Sequence, residues 1–167
     1  AVSLSFHPVK HITTGEGGAV LTNSFEIFNC CKNLRSHGII KKKNVNIGNN
    51  INQIYSVGYN YRITDIQSAL GYSQLKKIDI FIKKKRSLAK EYNKIFKNYS
   101  NIITPFEKKK CYHSYHLYPI LIDFRKLKIS KDYFIKMLEK KKIFLQVHYV
   151  PVYKYSFYKK KLKKSNF

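Results

Sequence analysis

Apolar and polar positions along this chain of 167 residues change period several times. Residues 1–6, AVSLSF, alternate only loosely, but their composition is that of a buried strand. Residues 17–22, GGAVLT, read as a second short strand behind a glycine turn. A helix is expected through FEIFNCCKNLRSH, residues 25–37, with Asn23 or Ser24 as its cap and Gly38 as its end. KKKNVNIGNNINQ, residues 41–53, is polar and without period, the pattern of a long surface loop. Thr64 with Gln67 three residues on has the spacing of a capping box. From there to residue 96, Ile66, Leu70, Ile78, Phe81, Ile82, Leu88, Ala89, Tyr92, Ile95 and Phe96 recur at helical steps. Such a span is long for one helix, so a break is expected near Lys77, and Lys83, Lys84 and Lys85 belong to its wet side.

The pattern then shifts. Residues 98–110, NYSNIITPFEKKK, are a linker candidate containing Pro105. SYHLYPILIDF, residues 114–124, reads as a strand, ISKDYFIKMLEKKK as a helix capped by Ser130, and IFLQVHYVPV, residues 143–152, as a strand ended by Pro151. Strand, helix and strand in that order point to a small α/β or α+β unit. There is no internal repeat.

Composition changes this picture little. Hydrophobic content of 44% and aromatic content of 15% exclude a disordered chain. No apolar run is long enough to span a bilayer, and no signal peptide is visible, so a membrane role is not expected. The chain opens on Ala1 rather than Met and stops without a clear final element, which reads as a fragment of a longer protein.

The formal charge of +24 prompts a nucleic-acid reading, and tyrosines interleaved with lysines in YKYSFYKKKLKK give it aromatic platforms. That reading predicts a steep salt dependence of binding to single strands. Two details weigh against it. Lysines number 29 and arginines 4, whereas base and phosphate readers favour arginine. Ile, Lys, Asn, Tyr and Phe supply 87 residues, and all five share AT-rich codons, so the bias is one of coding and the lysines are a solvated surface. Adjacent Cys30 and Cys31 and the distant Cys111 make no CxxC pattern; they read as reduced cytoplasmic thiols. His113 and His116 stand three apart with no Cys or carboxylate cluster, so both are structural and no metal site is expected.

One stretch departs from the lysine-rich background. SFHPVKHITTGEGGAV, residues 5–20, holds a single lysine, Lys10, between an apolar strand and a glycine turn. An amine in dry surroundings gives up its proton more readily, and a neutral amine is what Schiff-base chemistry requires. The hydroxyls of Ser5, Thr13 and Thr14, with backbone N–H groups, offer an anion seat. Taken alone the pattern is weak, since a lone lysine beside a turn is usually a surface lysine.

SFHPVKHITTGEGGAV resembles the cofactor-lysine signature of the sugar aminotransferases of the DegT/DnrJ/EryC1/StrS family, which use pyridoxal 5′-phosphate. GYNYRITDIQSALGYSQLKKID, residues 58–79, resembles the second signature of that family. SYHLYPILID followed by FLQVHYVPVY resembles the branch that aminates a UDP-linked 4-keto-6-deoxy-N-acetylaminosugar on the way to pseudaminic acid. The three blocks occur in family order over nearly the whole chain.

The resemblance implies an α/β, fold-type I architecture in which residues 1–98 complete the large cofactor-binding domain and residues 99–167 form most of the small C-terminal domain. It implies that Lys10 bonds the cofactor and carries a proton between cofactor and substrate carbons. Ser5 then matches the hydroxyl that binds the cofactor phosphate. Asn60 matches an asparagine supplied near the phosphate by the other subunit of a homodimer with a shared active site. Arg62 is placed near the substrate or an acidic amino donor, expected to be glutamate. Gln146, Val147, His148 and Tyr149 match a substrate-contacting segment. Some relatives carry histidine in place of the lysine and are dehydratases; Lys10 at that position favours amino transfer. The acid that pairs with the pyridine nitrogen, the stacking ring and a further phosphate loop lie, in the family, before the lysine and outside this sequence. A non-catalytic relative that serves only as a dimer partner is the second alternative. Each residue also has a structural role open to it: Ser5 as a turn cap, Asn60 in a left-handed loop conformation, Tyr149 in a core.

Overall fold

The computed structural model describes residues 1–40, 53–54 and 56–162; most of the expected 41–53 loop and the end of the tyrosine–lysine tail lie outside them. The described residues form two compact units. One draws on Ala1–Asn98 and Thr104–Pro119, the other on Tyr99–Ile103 and Ile120–Phe167. The stretch Thr104–Pro119, which the sequence assigned to the small domain, thus clusters with the first unit.

The first unit opens with strands β1 (Val2–Ser5) and β2 (Gly18–Leu21), paired antiparallel with Val2 opposite Leu21 and Ser5 opposite Gly18. Both expected strands form, but β1 is exposed along its whole length. A buried strand needs cover on both faces, and none of the described residues supplies it. Helix α1 (Phe25–Leu34) begins where Ser24 Oγ accepts from Ile27 N. It ends short of the expected Gly38, in a turn closed by Gly38 N donating to Asn33 O at 2.9 Å. Gly38 sits at φ +70, a region glycine enters without Cβ strain, and a Cβ there would lie 1.9 Å from Ser56 O. Two short strands follow, β3 (Ile39–Ile40) and β4 (Gln53–Ile54), paired antiparallel.

Thr64 closes a full capping box with Gln67 and starts α2 (Asp65–Leu75). The expected break falls at Lys77, and α3 (Ile78–Phe96) follows. The two helices use their faces differently. On α3 the face turned inward runs through Ile78, Phe81, Ile82, Lys85, Arg86, Ala89, Asn93 and Phe96, with Ala89 only 3% exposed, while Leu88 and Ile95 are exposed; of the lysines expected on the wet side, Lys83 and Lys84 are exposed and Lys85 is half-buried. On α2 the least exposed positions are Gln67, Gly71 and Gln74, four and three residues apart, whereas Ile66 is 84% exposed and Leu70, Tyr72 and Leu75 are exposed too. The expected apolar stripe of α2 is therefore outward. What lies against its inner side is loop backbone, which needs hydrogen-bond partners and close approach rather than apolar bulk.

The returning segment locks onto α3. Arg86 Nη1 donates to Glu107 Oε1 and to the His113 carbonyl, each at 2.7 Å, and His113 N donates to Glu107 Oε1 at 2.7 Å. The Arg86 guanidinium also lies 4.1 Å over the Tyr112 ring, a cation–π contact. Its hydrogen bond to Glu107 raises the arginine above its ordinary value, and the same bond, aided by His113 N–H, holds Glu107 below the usual carboxylate range. Tyr118 OH donates to Asn93 Oδ1 at 2.5 Å, and burial pushes its phenol above the ordinary value.

The second unit pairs β5 (Ile102–Ile103) with β6 (Leu121–Ile122), so the expected linker contains a strand and the expected 114–124 strand shrinks to two residues. Asp123 caps the short α4 (Phe124–Leu127), and Ser130 caps α5 (Lys131–Lys140) as expected. Phe124 and Phe134 meet edge to face at 5.7 Å. Residues 143–150 form no strand; a 3-10 turn (Val152–Lys154) and α6 (Ser156–Leu162) follow. A strand exists only as one side of a ladder, and no described segment pairs with residues 143–150. Among the described residues no helix is long and apolar enough to cross a membrane.

Candidate functional site

The turn between β1 and β2 carries Lys10. Thr14 N donates to Phe6 O at 3.0 Å and so draws the chain into a loop over residues 7–13, with Lys10 the middle residue. Ser5, the last residue of β1, stands just before that neck. The His7 backbone joins the two candidate residues: its N–H donates to Ser5 Oγ at 3.4 Å, and its carbonyl accepts from Lys10 N at 2.9 Å. Lys10 is half-buried, and among the described residues it makes no ion pair. Glu16, beyond the loop, places its Oε1 3.7 Å from His7 Nε2. Ser5 Oγ accepts that one long bond, so its hydroxyl proton is available to a ligand among the described residues.

The threonines are engaged otherwise. Thr13 Oγ1 donates to Phe6 O and accepts from Gly15 N, both at 2.9 Å. Thr14 is 4% exposed and its hydroxyl donates to Glu16 O at 2.7 Å. Neither hydroxyl proton is left for an anion, which corrects the threonine part of the expected anion seat. Their role is to hold the turn. Gly17 lets Thr14 do so, since a Cβ there would fall 2.3 Å from Thr14 Oγ1.

The second signature block lies directly against the first. Gln74 Oε1 accepts from Thr13 N at 3.1 Å, and Gln67 Nε2 donates to Glu16 O at 3.0 Å. Between them Gly71 admits the Thr14 methyl, which a Cβ would meet at 2.7 Å. From the other side His11 Nε2 bonds the Ser114 carbonyl at 3.1 Å, and the His11 and His116 rings lie 5.5 Å apart. A carbonyl only accepts, so His11 Nε2 carries the proton in that bond. His11, Gln67 and Gln74 carried no assigned site role from sequence. The signal for the glutamines is the polar stripe 67–71–74 on a helix otherwise rich in apolar residues.

Asn60 is held by its backbone: it bridges Ser36 antiparallel, between the bonds Tyr59 N to Leu34 O at 2.6 Å and Tyr61 N to Arg35 O at 2.9 Å. It is not among the residues with positive φ, so the left-handed alternative does not apply. The Asn60 and Arg62 side chains are exposed, beside the stacked Tyr59 and Tyr61 rings at 4.7 Å. Ile63 then brings this segment to the loop, its Cδ1 standing 3.4 Å from where a Gly17 Cβ would be. In the second unit Gln146, Val147, His148 and Tyr149 are all exposed, with the His148 and Tyr149 rings edge to face at 4.2 Å.

Comparison with known proteins agrees with these blocks. The DegT/DnrJ/EryC1/StrS aminotransferase family matches residues 1–167. The UDP-4-amino-4,6-dideoxy-N-acetyl-beta-L-altrosamine transaminase of Helicobacter pylori is 43% identical over 156 residues, which are 92% of this chain and 40% of that protein. Among solved structures, Helicobacter pylori PseC, an aminotransferase involved in the biosynthesis of pseudoaminic acid, superposes with a TM-score of 0.84 at 39% identity, covering 99% of this chain and 43% of its own. The Streptococcus pneumoniae protein Spr1654 in its PLP form gives 0.76 at 27% identity, covering 95% of this chain and 40% of its own. The chain thus spans about two fifths of the length of these relatives and has the partial fold-type I, α/β architecture expected from sequence.

Proposed function

Because the chain belongs to the DegT/DnrJ/EryC1/StrS aminotransferase family, we propose that it contributes the lysine half of a pyridoxal-phosphate-dependent sugar-nucleotide aminotransferase. The observation that carries this reading is the half-buried Lys10, free of any ion pair among the described residues and tied through the His7 backbone to a hydroxyl that can donate. The residues present fit the cofactor: one amine for its aldehyde, and one hydroxyl for its phosphate at the neck of the same loop.

When bound, pyridoxal 5′-phosphate supplies the electron sink that an exchange of amino groups needs. Lys10 Nζ would hold the cofactor by its aldehyde and, once released, would be the base that accepts and returns the proton there. Ser5 Oγ donates to the phosphate. Asn60 reaches the phosphate of a second copy, which makes the working form a homodimer with shared sites. The exposed tyrosine pair beside Asn60 suits such a surface. Arg62 attracts the acidic donor, taken as glutamate. Gln146, Val147, His148 and Tyr149 meet the sugar, taken as a UDP-linked 4-keto-6-deoxy-N-acetylaminosugar of surface-glycan synthesis. Relatives with that transaminase name support the choice of sugar. The free thiols of Cys30, Cys31 and Cys111 fit a cytoplasmic setting.

Lys10→Ala in the intact protein tests the reading. Loss of both the visible band of lysine-linked cofactor and turnover is expected. A Lys10→Ala protein that keeps both would refute it.

A further inference from the structure

We infer that Gln74 is a positioning residue for Lys10, and that the side-chain carbonyl it offers to the loop backbone sets where the lysine amine stands. The inference rests on the reading of Lys10 as the cofactor lysine.

Lys10 occupies the middle of a loop with one neck, Phe6 to Thr14. The neck fixes where the loop begins and ends, and inside it Lys10 N donates to His7 O at 2.9 Å. The tip is restrained on one side by His11 on Ser114 O. Further along the same arm, Gln74 accepts from Thr13 N, whose own hydroxyl is held on Phe6 O. Thr13 lies three residues from Lys10, a reach of about 10 Å at most, so a shift at Thr13 is made close to the lysine.

Gln74 is a firm post. It stands on α2, whose first turn is fixed by the capping box at Thr64. Gly71, one turn earlier on the same face, leaves room for the Thr14 methyl, which a Cβ would meet at 2.7 Å. Thr13 N is part-buried, and without an acceptor it would be a desolvated donor, so the loop would shift to find water. The bond needs an acceptor at this length and nothing more. Glutamate supplies one; methionine has the length and lacks it.

The test uses the intact protein with Gln74→Met, Gln74→Ala and Gln74→Glu, and Lys10→Ala as the control. In the cofactor-free proteins, the rate at which an amine-reactive ester labels Lys10 is followed by peptide mass spectrometry. In parallel, the dissociation constant of pyridoxal 5′-phosphate and the pH midpoint of its visible band are measured. Gln74→Met and Gln74→Ala are expected to change the Lys10 labelling rate, to shift the band midpoint, and to weaken cofactor binding about fivefold to tenfold, the worth of one hydrogen bond. Gln74→Glu is expected to stay within about twofold of wild type in labelling rate and in cofactor binding. If Met and Ala variants that melt like wild type label and bind as wild type does, the inference fails. It fails equally if Gln74→Glu is as impaired as Gln74→Met, because the acceptor is then not what matters. Labelling is read without cofactor, so it reports on the surroundings of the Lys10 amine whether or not the cofactor reading holds. Should Lys10→Ala keep the visible band, the cofactor reading falls while the labelling result on Gln74 stands.

Discussion

Two segments carry candidate site residues, and the structure treats them differently. The loop over residues 7–13 is tied to its surroundings by its own neck, by His11, by Gln74 and by the Glu16 carbonyl that Gln67 holds. Residues 143–150 are exposed throughout, with no ladder partner among the described residues. Both stretches were read from sequence as strand-associated. The first has its restraints within the chain. The second has the composition of a strand and nothing described to pair with. Apolar alternation reports that a segment will be covered; it does not say by what.

The contrast can be broken most forcefully at Gly71. A Cβ there would stand 2.7 Å from the Thr14 methyl, so Gly71→Val is expected to destabilise by about 1–3 kcal/mol through overpacking. A chemical-denaturation midpoint equal to wild type would show that the loop is not pressed on α2. Next in size is Thr64→Ala, which removes the cap of α2 and should lose about 1 kcal/mol in the same measurement. At the other end of the contrast Val147→Ser, at a position 52% exposed, should change the stability of the 167-residue chain by less than about 0.5 kcal/mol. A larger loss would reveal cover for residues 143–150.

A pH experiment sharpens the comparison on the side of the first unit. Glu107 is held below the usual carboxylate range, first by Arg86 and then by His113 N. Its folded value is lower than its unfolded value, so its contribution is present above the unfolded value. It is lost as the pH falls through the folded one. Stability should therefore fall below about pH 4 in wild type and fall less steeply in Glu107→Gln, followed by thermal melting across an acid series.

How much of this was legible follows the range of each interaction. The caps at Ser24, Thr64 and Ser130 and the break at Lys77 were readable because each is settled within a few residues. Lys10 and Ser5 stood out because the lysine is isolated in its stretch and the block around it resembles a known signature. The roles of Thr13 and Thr14 were misread: their acceptors are carbonyls of a turn whose path no local pattern gives. The inward polar stripe of α2 was missed for a related reason. Helical periodicity marks where the apolar residues are, and here they face away from the backbone that α2 supports. Arg86 and Glu107 stand 21 residues apart, and nothing in the spacing announces the clamp.

The amide of Gln67 faces two ways. Its oxygen accepts from Thr64 N at 3.0 Å, while its nitrogen reaches Glu16 O. Helix initiation and the far end of the lysine turn therefore share one planar group, and fraying at the first would loosen the second. Exchanging that NH2 for a carboxylate oxygen leaves the helix start its acceptor and takes the donor from the turn, so a single atom's identity can separate two events that otherwise occur together.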